Sequence, residues 1–298
     1  GVEARRTRNE GRVLRLEQLR RERAARRERQ GKVELAIDAG DKSGKLVAEL
    51  VSVNKSFGDK RVVRDFSCRL QRGDRIGLIG PNGAGKTTIF NLITGVYDVT
   101  NGEIEFKGKN INKLKTFQVI SLGIARTFQN LRLFAASTVL ENVMTAAQQH
   151  YEYGFFEAVS HLGRWRSKEA AARKESMELL ERVGLADRAN QAAGTLPYGL
   201  QRRLEIARAI SLGPELLLLD EPAAGMNAEE VEQLNTLITG IHKDFNLTIL
   251  LIEHHMDMVM AICPHIVCMN FGAKIAEGDP EYIQNHPEVL KAYLGEEE

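Results

Sequence analysis

Gly80-Pro81-Asn82-Gly83-Ala84-Gly85-Lys86-Thr87-Thr88 is the stretch that most limits what this chain can fold into. It fits G-x-x-x-x-G-K-[ST], follows the apolar run 76–79, and is continued at helical spacing by Ile89, Leu92 and Ile93. A strand, a glycine-rich turn and a helix in that order form a phosphate cradle, and all nine residues are candidate nucleotide contacts. Glycines let backbone N–H groups turn inward, Lys86 reaches the β- and γ-phosphates, and the Thr87 hydroxyl is placed to ligate Mg²⁺. The helix that opens near Gly85 adds the favourable end of its dipole. The expectation is an α/β core with a mainly parallel sheet.

Composition sets the outer bounds. With 298 residues and 43% apolar content the chain can bury a sizeable core as one large or two ordinary domains. The net charge is only +1, but residues 1–30 hold eleven Arg against five Glu, so positive charge is local. Cys68, Cys263 and Cys268 form no C-x-x-C pair and are odd in number, which favours buried thiols over a disulfide framework. No window holds 18 uninterrupted apolar residues, and the Arg-rich start has no apolar secretory core. The first residue is Gly1, as in a fragment or a processed chain.

In chain order, residues 12–29 lack Gly and Pro and read as a helix whose thin apolar stripe is Val13, Leu16 and Leu19. Its arginines suit a solvated face with Glu–Arg pairs or, alternatively, an RNA backbone contact by residues 1–45. Residues 38–45 read as a linker, which places a domain boundary near 45 and one cassette over 46–298. Residues 46–53 and 61–70 read as an antiparallel strand pair around Gly58-Asp59-Lys60. Asn101-Gly102 reads as a hairpin turn into 103–107, and 113–190 as mostly helical, with the clearest helix at 169–183 stopped by Gly184.

Residues 215–221 form a short apolar run ending in Asp220 and Glu221, and 248–252 repeat the pattern before Glu253-His254-His255. Both read as buried parallel strands presenting polar groups at one sheet edge. Beside a phosphate loop, Asp220 suits the outer shell of Mg²⁺ and Glu221 suits polarising an attacking water, although two such acids also serve as a helix cap. His254 can reach the γ-phosphate from the second strand, while His255 faces the opposite way and makes a poor metal pair with it.

The order of these pieces resembles the nucleotide-binding cassette of ABC proteins: the 80–87 loop, Gln129 in Thr127-Phe128-Gln129-Asn130, the 196–205 stretch opening a helix, then 216–221 and His254. That resemblance implies ATP and Mg²⁺ as cofactors and hydrolysis carried by Glu221, His254, Lys86 and Gln129. It implies Thr87, Gln129 and Asp220 around the metal, and Phe57 stacked on adenine. Tyr198, Gly199 and Gln201 belong to the signature, presented to nucleotide held by a second ATPase subunit in a head-to-tail homo- or heterodimer. The same resemblance implies that residues 224–227 are the D-loop. Two positions depart from the pattern: Pro197 replaces the usual Ser, removing a hydroxyl and an N–H, and Asn227 replaces Asp.

The implied fold is a P-loop ABC cassette: an α/β core, an antiparallel strand group from 46–75 and 101–108, and an inserted helical subdomain over about 130–213. Within the ABC group, residues 86–298 look like the ATPase subunit of LivG-type branched-chain amino-acid importers, through Ile89-Phe90-Asn91, the 125–134 stretch, Gln201 to Arg208, Asp220 to Gly225, and the tail Lys291-Ala292-Tyr293-Leu294-Gly295. Residues 1–79 instead resemble the linker and second-cassette start of Uup-like ABC-F proteins, through residues 4–13, Asp65-Phe66-Ser67 and residues 72–76, so the whole reads as a chimera joined inside the P-loop. The importer resemblance implies integral membrane permeases as partners, an external binding protein indirectly, and a peripheral place on the inner face of the cell membrane. Leu131, Leu133, Phe134, Tyr151, Tyr153, Phe155 and Phe156 are the candidate permease surface, or alternatively the helical subdomain's own core. The ABC-F resemblance implies a ribosome-associated ATPase fragment, and a non-catalytic nucleotide-binding module is a third reading.

Overall fold

The computed structural model describes residues 45–129, 131–148 and 164–294. The basic helix and linker, Asn130, the aromatic group Tyr151, Tyr153, Phe155 and Phe156, and Gly295 lie outside the described residues.

Strand β1 (Leu46–Phe57) and strand β2 (Lys60–Gln71) pair antiparallel around Gly58-Asp59, as their alternating patterns predict. β1 pairs on its other side with β4 (Asn101–Phe106), and β5 (Lys109–Asn110) completes a four-stranded antiparallel sheet ordered β2-β1-β4-β5. Asn101 and Gly102 lie inside β4 and are not a hairpin turn. Gly102 adopts φ +96°, and a Cβ there would sit 2.3 Å from the Ser52 carbonyl oxygen, so the glycine marks a bulge where two strands come close.

The second sheet has six strands in the order β10-β9-β3-β8-β7-β6. Four of its members, β3 (Arg75–Ile79), β7 (Leu216–Asp220), β8 (Thr248–Ile252) and β9 (His265–Asn270), are parallel, and β10 (Ala273–Gly278) is an antiparallel edge. Leu216, Leu218, Leu250 and Ile252 join one core with β1, β2 and helix α1 (Lys86–Ile93). Leu217, Leu219, Ile249 and Leu251 join the other, against helices. Burial on both faces is why these strands read as unbroken apolar runs instead of alternating ones.

β6 (Ile124–Arg126) pairs parallel with β7 inside the stretch expected to be helical. Three residues carry no period, and only the long-range partner makes them a strand. Around it lie α2 (Thr116–Ser121), α3 (Val139–Ala147) and α4 (Arg164–Arg182), and Gly184 at φ +71° lies just past the end of α4 as the sequence predicts. α5 (Tyr198–Ile210) packs with α3 and α4, and α6 (Ala228–Phe245) and α7 (Met256–Ile262) flank the sheet. α8 (Pro280–Gln284) and α9 (Pro287–Leu294) close the described chain. Cys68, Cys263 and Cys268 are buried free thiols, and burial pushes each up to about 12.

Candidate functional site

The register of the parallel strands puts the chemistry at one edge. Leu78 and Asp220 both align with Ile252, so the P-loop, the two acids and the Glu253-His254 turn leave the sheet together. Gly80, Gly83 and Gly85 take φ of +147°, +80° and +101°, which a side chain resists. α1 then begins with no side-chain cap and no acid in its first turn, so its N–H groups remain available to an anion. Lys86 is buried, and its Nζ donates to the carbonyl oxygens of Gly80 and of Pro81, the latter at 3.0 Å. Burial lowers its pKa, with Glu221, Cys268 and Asp220 opposing. Ala84 is buried, Thr88 half-buried, and Asn82 and Thr87 are exposed. An uncapped helix end beside a desolvated ammonium fits a phosphate chain.

Asp220 sits 2% exposed at the end of β7. Its Oδ2 accepts a hydrogen bond from Arg126 at 2.6 Å, and Arg126 also donates to Asn91 Oδ1 at 2.7 Å. Burial raises the Asp220 pKa and the Arg126 bond pulls it back. Arg126 also lies over the rings of Phe90 and Phe128, at 5.4 and 5.3 Å. Local pattern does not disclose this pair, because the three residues of β6 carry no period of their own.

Glu221 adopts φ +48°, a left-handed conformation that a non-glycine residue seldom holds. Its Oε2 accepts from Gln129 Nε2 at 2.7 Å and its Oε1 lies 3.0 Å from His254 Nε2. Glutamine, glutamate and histidine, 92 and 33 residues from one another along the chain, are thus one cluster. His255 turns to Glu253 at 3.1 Å, apart from His254. Glu253, 1% exposed, accepts from the backbone N–H of Ala223 and of His254 at 2.7 and 2.9 Å. It ties the loop after Glu221 to the turn that carries His254, a role the sequence reading missed because this acid looked like a mere break in an apolar run.

A second buried pair holds the Gln129 loop. Arg202, 0% exposed, donates to the carbonyls of Phe128 and Gln129, to the Tyr198 hydroxyl and to Glu205. Glu205 accepts in turn from the Phe128 N–H at 3.1 Å, and burial raises its pKa against these bonds. Both residues stood in a motif, but nothing in the spacing said that α5 would clamp a loop more than 70 residues earlier.

The remaining candidates lie apart. Lys86, Thr87, Glu221 and His254 line one open cavity of about 1400 Å³ with the β1–β2 and β9–β10 turns and α9. Tyr198, Gly199 and Gln201 do not line it; Gln201 Nε2 donates to the Leu196 carbonyl, and a Cβ at Gly199 would lie 3.2 Å from Glu230 Oε1. Pro197 is the N-cap of α5. Phe57 also lies off that lining, 45% exposed, edge-on to Tyr97 at 5.2 Å and with the Lys55 ammonium 4.8 Å from its ring. Asn227 accepts from Glu230 N–H in a capping box on α6, work that Asn does as well as Asp. Among the described residues no group of three or more His, Cys, Asp or Glu side chains is placed to hold a metal ion.

The family model described as "ABC transporter" matches residues 63–224, and that of the "branched-chain amino acid ATP-binding cassette transporter" matches residues 273–298. The high-affinity branched-chain amino acid transport ATP-binding protein BraF of Pseudomonas aeruginosa is 43% identical over 250 residues, 84% of this chain and 98% of that protein. LivG of Escherichia coli, of the same description, is 44% identical over 83% of this chain and 98% of its own. A solved ATP-binding cassette of an ABC transporter in its ADP conformation superposes with a TM-score of 0.74 at 28% identity, covering 84% of this chain and 99% of that one. The 250-residue match leaves 48 residues of the chain outside it, so the importer likeness continues N-terminal of the P-loop.

Proposed function

This chain belongs to the ABC transporter ATP-binding family, and from that premise we propose that it hydrolyses ATP to drive import of branched-chain amino acids. The family is one of ATPases, and the amino-acid substrate follows the names of BraF and LivG. The ABC-F reading is not favoured, because the relatives are importer subunits whose likeness crosses the P-loop.

The observation that carries the mechanism is Glu221 held between Gln129 and His254 at the mouth of the Lys86 loop. In this reading Lys86 leaves its two carbonyls for the β- and γ-phosphates, and α1 directs its N–H groups at them. Glu221 accepts a proton as water oxygen bonds to the γ-phosphorus and the bond to the bridging oxygen breaks, giving ADP and phosphate. His254 fixes the carboxylate and presents a ring N–H to the terminal phosphate. Thr87 and the free oxygen of Asp220 would hold Mg²⁺, with Gln129 at its edge; the ion offsets phosphate charge.

The distance of Tyr198, Gly199 and Gln201 from the Lys86 cavity supports a head-to-tail dimer in which the partner's signature closes the site. Phe57 serves the adenine. Phe134, 50% exposed under the Arg208 guanidinium, suits a permease loop, whereas Leu133 packs against the core. Among the described residues no helix is long and apolar enough to cross a membrane, and we place the subunit on the inner face through its permeases, with the external binding protein an indirect partner.

Glu221→Gln tests the central role. ATP binding should persist, the dimer should accumulate with ATP, and turnover should fall by about 100-fold or more. Wild-type turnover would remove Glu221 from the reaction.

A further inference from the structure

One side chain at the nucleotide cavity has no part in the steps above and no packing reason for its place. β9 ends at Asn270, β10 begins at Ala273, and these two residues pair, so Phe271 and Gly272 alone make the turn. Both have positive φ, +45° and +83°. Such two-residue turns favour asparagine and glycine, and a bulky aromatic side chain resists that backbone. Phe271 is not repaid by burial: at 78% it is the most exposed large apolar side chain among the described residues, and it lines the cavity.

The turn that carries this ring is stapled to the phosphate loop. The Gly272 N–H donates to the Ala84 carbonyl at 3.0 Å, and the Gly272 carbonyl accepts from the Arg64 N–H at 2.7 Å. A Cβ at Gly272 would lie 2.4 Å from the Val62 carbonyl oxygen, so the turn is pressed close against β2. Phe271 therefore has a fixed place relative to the P-loop, on a cavity wall shared with Lys60, Arg61 and Arg64. Phe57, the aromatic that the family resemblance assigns to adenine, does not line this cavity. A strained, solvent-facing ring fixed beside a phosphate site suits the flat, π-bearing end of the ligand whose phosphates that site takes.

We propose that Phe271 is a nucleotide-binding residue that packs its ring against the nucleoside part of ATP, adding a second aromatic contact to that of Phe57. The β9–β10 turn then contributes to ATP affinity while the P-loop holds the phosphates. The inference rests on the reading of the P-loop as the ATP site.

The test uses the full chain with Mg²⁺, read by steady-state ATP hydrolysis, by competition with inorganic tripolyphosphate, and by the unfolding midpoint with and without ATP. Loss of one base–aromatic contact should raise KM for ATP about tenfold in Phe271→Asn, with kcat falling less than twofold. The inhibition constant of tripolyphosphate, which has phosphates and no base, should stay near wild type. The nucleotide-free midpoint should not fall, because asparagine accepts positive φ more readily than phenylalanine does. Phe271→Tyr keeps the ring and should keep the KM. A wild-type KM in Phe271→Asn overturns the proposal, and so does a Phe271→Tyr variant as weak as Phe271→Asn. Equal losses of ATP and tripolyphosphate also overturn it, because the turn would then merely support the P-loop. Lys86→Ala separates the two levels: if it keeps the wild-type ATP-induced rise in midpoint the P-loop reading itself fails, whereas if it loses that rise and Phe271→Asn is normal only the role of Phe271 fails.

Discussion

Arg126 and Asp220 show how much a single side chain can depend on its partner. Their side chains are 7% and 3% exposed, so the pair has almost no solvent to fall back on. Removing the cation leaves a buried carboxylate without compensation, and breaking such pairs costs about 3–5 kcal/mol. Arg126→Met should therefore lower stability by that order in denaturant titration, and should raise the Asp220 pKa further, because burial already raises it and Arg126 is the main opposing influence. A stability change below about 1 kcal/mol would show that the pair is not held as described. Glu221 makes the same point through geometry, since its left-handed backbone is tolerated where Ile252 fixes its N–H and Gln129 and His254 fix its carboxylate.

Elements carry the site by where they end. β3, β7 and β8 stop in register, and the loops that follow are cross-braced by Glu253 on one side and by Arg202 with Glu205 on the other. α6 depends on its cap: Asn227 accepts from Glu230 N–H, and Glu230 accepts from Asn227 N–H. Asn227→Ala should cost about 1 kcal/mol of stability, while Asn227→Asp should be nearly neutral. Thermal unfolding of the two variants decides this, and equal losses would mean that the cap adds nothing. The prediction concerns folding alone, so a fall in ATP turnover in Asn227→Asp at unchanged stability would locate this position in the dimer seam instead.

At the scale of the molecule the question is whether one chain contains a whole site. Lys86 and Gly199 belong to different surfaces here, so two copies arranged head to tail would each complete the other. Lys86→Ala and Gly199→Glu subunits should each be inactive alone and should regain activity when mixed, because one composite site in the heterodimer is intact. Absence of any recovery, with mixed dimers shown to form, would argue against completion in trans. Residues 1–45 are tested separately: if their arginines contact RNA, the affinity should fall steeply between low and physiological salt and vanish on their deletion, with ATP turnover kept. Salt-independent RNA binding, or binding that survives the deletion, would exclude that segment.

The P-loop, the strands ending in Asp220 and in Ile252, the β1–β2 pair and the stop at Gly184 were legible in the sequence, because each is set by a local pattern: glycines at fixed spacing, an unbroken apolar run, alternation, a helix stop. The ABC resemblance rested on the same local motifs taken in order. What the chain could not disclose were features created by distance along it. β6 is a strand solely because β7 lies beside it; Asn101-Gly102 is a bulge and not a turn because β1 runs close to it. Arg126 meets Asp220 and Arg202 grips the Gln129 loop across gaps of 94 and 73 residues. Local propensity is a property of a few neighbouring residues, whereas a buried charge or a hydroxyl takes its partner from whatever the folded sheet brings within hydrogen-bonding reach, and that choice exists only in three dimensions.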